Sequence, residues 1–215
     1  MAMKARRVTG ATAILLALIS GCGTATGGVV PQPPSAKSNP TVDKLLLSFD
    51  EIPKVVVSQL MLGSQNPDVQ KLGTLDLYGS SAYRLRSWSD RDGRHPIAQV
   101  IYQFPTAEAA ASDYLKRPYG GKFNFDEGIQ ATVIENTGME IKAESARLFC
   151  VAPKRLGNPL KNCPQWGSRA QYGKFIVDTF IRRFDGRRDY IPVPEETFRS
   201  LVAAVDRHVA TQVGD

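Results

Sequence analysis

The sequence has few of the residues on which metal sites and acid–base catalysis depend. Its 215 residues include only two histidines, His95 and His208, and three cysteines. Twelve residues separate Cys150 from Cys163, and with so few histidines this spacing does not match a zinc site. The chain also lacks the Gly-x-Ser-x-Gly, His-Glu-x-x-His and phosphate-loop motifs. We therefore expect no catalytic residue, no metal and no cofactor.

The sequence also lacks an apolar run long enough to span a bilayer permanently. The apolar run near its start covers residues 11–19, follows Lys4, Arg6 and Arg7, and is followed by small residues. A basic segment, a short apolar core and small residues are typical of a secretory signal peptide. We predict that residues 1–21 are this signal peptide and that the rest of the chain is exported.

Residues 19–22 read Ile-Ser-Gly-Cys and resemble the lipobox of bacterial lipoproteins. The resemblance implies a diacylglycerol on the Cys22 sulfur, cleavage before Cys22, and acylation of the new amino group with a chain such as palmitate. Isoleucine stands where the lipobox usually has leucine, which keeps the apolar character. Two acyl chains hold a protein stably on a membrane. The alternative is an ordinary signal peptide whose cleavage site is followed by a cysteine.

The composition of the sequence after Cys22 predicts a tether followed by one domain. Residues 22–41 are rich in Gly, Thr, Pro and Ser and have too little apolar surface to fold. Residues 42–215 are enough for a single domain. Removal of the signal peptide lowers the basic count from 27 to 24 against 21 acidic residues, so the formal charge falls from +6 to +3. This mild charge gives no reason to expect nucleic acid as a partner.

Two cysteines remain after Cys22 is assigned to the lipid. Outside the cytoplasm we expect Cys150 and Cys163 to form a disulfide. It would close a loop of about 14 residues and contribute about 3 kcal/mol by restricting the unfolded chain.

The periodicity of the apolar residues predicts an α+β domain with a mainly antiparallel sheet, helices packed on one face and one disulfide. Ser48 and Glu51 have the spacing of a capping box. The predicted elements are a helical turn at 48–52, strands at 81–89, 96–104, 131–135, 143–151 and 169–184, the last with a bulge or bend at Gly173, and helices starting at Thr106 and Pro194. Asp92-Gly93 predicts a turn between the first two strands, and His95 is expected in a turn.

Three segments resemble the extracellular sensor domain of mycobacterial serine/threonine kinases and related lipoproteins. They are LLLS with DEI at 45–52, QVIYQFPTAEAA at 99–110, and Cys163 followed by YGKFIVD at 172–178. The resemblance implies an antiparallel sheet with flanking helices around a cleft, and a binding role. The chain departs from the family in lacking a second disulfide, a tryptophan–cysteine step and a kinase domain, and the family supplies no ligand residues.

Two groups of residues are candidate binding sites. Asp185-Gly186 predicts a two-residue hairpin turn that would place up to four guanidinium groups within a small area. Such a group suits phosphate or carboxylate on lipid headgroups, wall polymers or a protein partner. The alternative is a solvated hairpin whose arginines pair with nearby aspartates. Aromatic residues near a glycine-rich stretch would line a cleft, or else pack in the core. The candidates are Arg182, Arg183, Arg187 and Arg188, and Tyr119, Phe123 and Phe125.

These features predict a lipoprotein on the outer side of the cell membrane with a non-enzymatic, sensor-like domain that binds a ligand or an envelope protein. The alternative is a hydrolase of envelope polymers, which would use a pair of acids across a groove. A structural partner of another envelope protein is a third class. The candidate acid pairs are Asp50 with Glu51, Asp90 with Asp92, and Asp126 with Glu127.

We expect Cys22→Ser to release the protein from the membrane fraction and to abolish labelling by a palmitate analogue, because the acylated sulfur is lost. Cell fractionation with immunoblotting and metabolic labelling measure both effects. The tether variant Thr24→Ser is the matched control and keeps the wild-type location. A wild-type protein that carries no label would contradict the assignment.

Overall fold

The computed structural model describes residues 41–63, 78–120, 128–136, 138–156, 158–184 and 190–214. The predicted signal peptide, Cys22 and all but the last residue of the predicted tether lie outside these ranges. Within them, no helix combines the length and apolar character needed to cross a membrane.

The described residues form seven strands and three α-helices. Two short 3₁₀ turns, Val42–Leu45 and Phe49–Glu51, precede them. The helices are α1 (Lys54–Leu60), α2 (Ala107–Lys116) and α3 (Glu195–Val213). The strands are β1 (Ala82–Trp88), β2 (Ile97–Gln103), β3 (Ile129–Ile134), β4 (Ser145–Pro153), β5 (Gln165–Tyr172), β6 (Phe175–Phe184) and β7 (Tyr190–Ile191).

The strands form one antiparallel sheet in the order β1-β2-β6-β5-β4-β3, with β7 paired to the end of β6. Strands that are consecutive in the sequence pair with each other, except that β2 pairs with β6 and not with β3. The disulfide between Cys150 and Cys163 is present. The predicted α+β class, antiparallel sheet, helix-covered face and single disulfide are therefore confirmed.

Helices α1 and α3 and the 3₁₀ turns pack on one face of the sheet. Trp166 of β5 stacks on Phe198 of α3 with 5.6 Å between the ring centroids, and its indole N–H donates to the Val193 carbonyl at 2.7 Å. Pro194 precedes the first turn of α3. The apolar stripe of α3 is buried as its spacing predicts: Phe198, Leu201, Val202, Val205 and Val209.

Helix α2 lies on the opposite face, which adds a second layer to the predicted arrangement. Its N-cap is Thr106, whose hydroxyl accepts from the Ala109 N–H at 3.1 Å. Side chains alternate along a strand, so Gln171 points away from the Trp166 side of β5. The Gln171 side-chain amide donates to the Ala107 carbonyl of α2 at 3.4 Å. A small aromatic cluster under α2 contains Tyr83, Tyr102, Phe104, Ala110, Tyr114 and Ile176.

The single long strand predicted over 169–184 is wrong, because this region is a hairpin of β5 and β6. Tyr172 pairs with Phe175, so only Gly173 and Lys174 form the turn. Gly173 has φ +55°, and the first central position of a type II′ turn favours glycine. Glycine therefore reverses the chain here, where the sequence predicts a bulge or bend within one strand.

The predicted two-residue turn at Asp185-Gly186 is also wrong. Phe184 pairs with Tyr190 and Arg183 with Ile191, so residues 185–189 separate the paired strands. This register pairs the end of β6 with Tyr190 and Ile191. Residues 185–189 lie outside the described ranges.

Reduction of the disulfide should lower the free energy of unfolding by about 3 kcal/mol, because a closed loop restricts the unfolded chain. Urea unfolding with and without a reductant measures the change. The double variant Cys150→Ser/Cys163→Ser is the control, and its stability should not respond to the reductant. Equal stability of the wild type in both conditions would contradict this expectation.

Candidate functional site

A buried ion network holds α2 on the sheet. Arg169 of β5 is 1% exposed and donates to both carboxylate oxygens of Asp178 on β6, at 2.8 and 2.7 Å. Its second terminal nitrogen donates to Asp113 of α2. Arg169 and Asp178 are directly opposite in the β5–β6 register. One guanidinium group therefore joins two strands and a helix.

Arg117, at the end of α2, completes the network. It forms an ion pair with Asp113 and its guanidinium lies 3.8 Å from the centroid of the Tyr78 ring. Two cations thus face two carboxylates, so the buried charges balance. Burial raises the pKa of Asp178 to about 6, although the Arg169 and Arg117 guanidinium groups draw it back toward its ordinary value.

The chain leaving α2 passes directly over this network at Gly120. Gly120 has φ +86°, and a Cβ atom there would lie 2.9 Å from Oδ2 of Asp178. Both observations require glycine at this position. The chain then enters residues 121–127, which include Phe123 and Phe125 and lie outside the described ranges.

A row of paired residues on β4, β5 and β6 lies on the same face of the sheet as α2. Gly167 pairs with Phe149 on one side and with Phe180 on the other. A Cβ atom on Gly167 would lie 2.5 Å from the Phe149 ring and 3.0 Å from the Phe180 ring. Tyr119 meets the Phe149 ring edge-on at 5.3 Å. Glycine in the strand therefore lets the two phenylalanine rings lie over the backbone, where Tyr119 contacts one of them.

One cavity of about 300 Å³ opens on this row, and we call it the Arg182 cavity. His95 lies at its wall, with Nδ1 3.2 Å from the Ser87 hydroxyl and 3.3 Å from the Ser89 hydroxyl. These contacts fix the orientation of the imidazole. The lining residues are Leu85, Ser87, His95, Pro96, Ala98, Gln165, Phe180 and Arg182.

A second cavity of about 530 Å³ adjoins the first, and we call it the proline cavity. Gln165 lines both cavities and pairs with Arg182 on one side and Val151 on the other. The two cavities together form the sheet groove. The proline cavity is lined by Ile129, Val151, Ala152, Pro153, Arg155, Leu156, Asn162, Pro164, Gln165 and Pro192.

The structure brings two of the predicted binding residues to one face of the sheet. Arg182 lines the groove, and Tyr119 contacts the aromatic row beside it. Arg183 follows Arg182 on β6, so its side chain points to the opposite face. The remaining predicted binding residues, Phe123, Phe125, Arg187 and Arg188, lie outside the described ranges.

Sequence reasoning did not identify the ion network. Its signal was present, because Asp178 stands in the middle of the apolar run 175–181 and Arg169 lies on a strand of the core. A charged residue in such a position needs a buried partner. The sequence predicts His95 in a turn, and nothing in its local sequence marks it as a cavity residue.

The described acid pairs serve local structure. The Glu51 carboxylate accepts from the Ser48 N–H at 2.7 Å and lies 2.6 Å from Nδ1 of His208. Partial burial alone would raise the pKa of Glu51, but hydrogen bonds from Ser48 and His208 outweigh it and lower that pKa. Asp90 accepts from two backbone N–H groups in its own turn, those of Asp92 and Arg94.

Among the described lining residues of the sheet groove there is no carboxylate.

No protein-family model matches the chain, and no curated protein matches it. Among solved structures it is similar to the extracellular domain of PknH from Mycobacterium tuberculosis, with 14% identity and a TM-score of 0.43. The match covers 79% of this chain and 97% of that one. That protein is of the kind the sequence resembles, but a likeness this weak carries no argument about function.

We expect Asp178→Asn to lower the free energy of unfolding by about 3–5 kcal/mol, because it leaves the buried Arg169 guanidinium with one carboxylate in place of two. The matched control is Asp92→Asn, whose side chain is 61% exposed and pairs with Arg94 at 3.3 Å. That change should cost at most about 1 kcal/mol. Urea unfolding compares the two variants, and similar losses would contradict a special role for the network.

Proposed function

We propose that this protein is a lipid-anchored, extracytoplasmic binding protein whose ligand site is the sheet groove, and that it acts without catalysis. The observation that carries the proposal is the groove itself. Two adjoining cavities combine apolar walls with two guanidinium groups, those of Arg155 and Arg182, and with the His95 imidazole. Ligand sites are typically concave and largely apolar with a few polar groups, in the range of about 300–1,000 Å³.

The proposed location is supported by the disulfide and the lipobox-like segment. Disulfides persist in extracytoplasmic compartments and are rare in the cytosol. Cys150 and Cys163 are both buried and bonded to each other. The lipid on Cys22 would then place the domain at the outer surface of the membrane.

The lining of the groove favours binding over hydrolysis of an envelope polymer. A glycosidase needs two carboxylates about 5–10 Å apart across its groove. The described acid pairs cap a helical turn and close a loop, and the described lining of the groove has none. A purely structural partner of another envelope protein would present a flat patch, so the two cavities favour a ligand site.

Native mass spectrometry of the full protein purified from its membrane tests the proposal. We expect a small molecule to co-purify with the wild type and to be lost from Ala98→Trp, because the indole fills the Arg182 cavity. The half-buried Ala111 of α2 provides the matched control Ala111→Trp, which leaves the groove open.

Two results would contradict the proposal. A wild-type protein without any bound molecule would argue against a binding function. A ligand that remains bound to Ala98→Trp would place the site elsewhere. Thermal melting of each variant shows whether the protein has kept its fold.

A further inference from the structure

The walls of the proline cavity suit an aliphatic chain. Three prolines, Pro153, Pro164 and Pro192, line it together with Ile129, Val151 and Leu156. Proline has no backbone N–H, so these three residues contribute no main-chain donor. The polar side chains of the lining are Arg155, Asn162 and Gln165. Its described lining contains no aromatic residue, whereas sites for sugars and aromatic ligands typically use aromatic rings. The apolar part of this surface suits a flexible, saturated chain best.

The Arg182 cavity suits an anion. Arg182 supplies a planar guanidinium whose N–H groups fit a carboxylate or a phosphate. His95 is held in place by Ser87 and Ser89, so its ring is oriented before a ligand arrives. The floor of this cavity is apolar, with Leu85, Ala98 and Phe180. A low-polarity floor strengthens the attraction between a guanidinium and an anion.

The two cavities adjoin, because Gln165 lines both and its strand neighbours are Arg182 and Val151. An anionic group held at Arg182 would therefore lie about one strand spacing from the start of the proline cavity. On the basis of the proposed function, we infer that the ligand is an amphiphile with one anionic head and one aliphatic chain. The head binds at Arg182 and His95, and the chain lies in the proline cavity.

Displacement of the fluorescent fatty acid cis-parinaric acid tests this inference. The full chain carries Cys22→Ser, so that its own acyl groups cannot occupy the groove. We expect palmitic acid or lysophosphatidic acid to displace the probe at concentrations at least about tenfold lower than hexadecanol does. A difference of this size corresponds to one charge-assisted hydrogen bond. Inorganic phosphate alone should not displace it, because it lacks a chain. The acid and the phospholipid distinguish a carboxylate head from a phosphate head.

Neighbouring arginines provide a matched pair of variants. Arg182→Gln should remove the preference for the anionic compounds over hexadecanol, and Arg183→Gln, on the opposite face, should retain it. Leu156→Asp should weaken binding of all three compounds about tenfold or more, because it places a charge in the proline cavity. If Arg182→Gln fails to fold, His95→Gln should reduce the same preference.

The results separate this inference from the proposed function. If hexadecanol binds as tightly as palmitic acid, the assignment of the head to Arg182 is overturned. If no amphiphile binds, but native mass spectrometry still finds a ligand that Ala98→Trp abolishes, the inference is overturned and the binding function stands. If neither experiment detects a ligand, both fail.

Discussion

The α2 side of the sheet depends on the buried ion pairs that the Arg169 guanidinium group forms. Helix α2 buries only two apolar side chains, Ala110 and Tyr114, and its Leu115 is 73% exposed. Apolar burial alone therefore does little to fix the position of α2 on the sheet. A buried ion network adds little net stability compared with apolar residues, but it requires a specific geometry. Here it fixes where α2 ends, and so where Gly120 and Tyr119 meet the sheet.

Local signals predicted much of the fold because they act over a few residues. The Thr106 cap, the apolar stripe of α3 and the Asp92-Gly93 turn between the first two strands each depend on neighbours in the chain. The β5–β6 hairpin was missed because apolar residues continue on both sides of Gly173, as they would along one strand. Only the pairing of Tyr172 with Phe175 distinguishes the two cases.

The candidate site was less predictable because its residues meet only through the strand order. Ala98 of β2 pairs with Phe180 of β6, and no local sequence pattern predicts that pairing. The chemistry of Tyr119 and Arg182 makes them candidates, and the sheet brings them to one face. The alternation of side chains along a strand already implied that Arg182 and Arg183 point to opposite faces. Arg182 and Arg183 therefore do not share a face of the sheet, whereas Arg187 and Arg188 lie outside the described residues.

The disulfide also contributes to the groove. Much of the wall of the proline cavity, including Pro153, Leu156 and Asn162, comes from the loop that Cys150 and Cys163 close. A loop that is already restricted loses less entropy when a ligand binds, so covalent closure favours affinity. Reduction would loosen this wall. If the groove is the ligand site proposed above, the compartment that keeps the disulfide oxidised is thus also the one in which that site is most ordered.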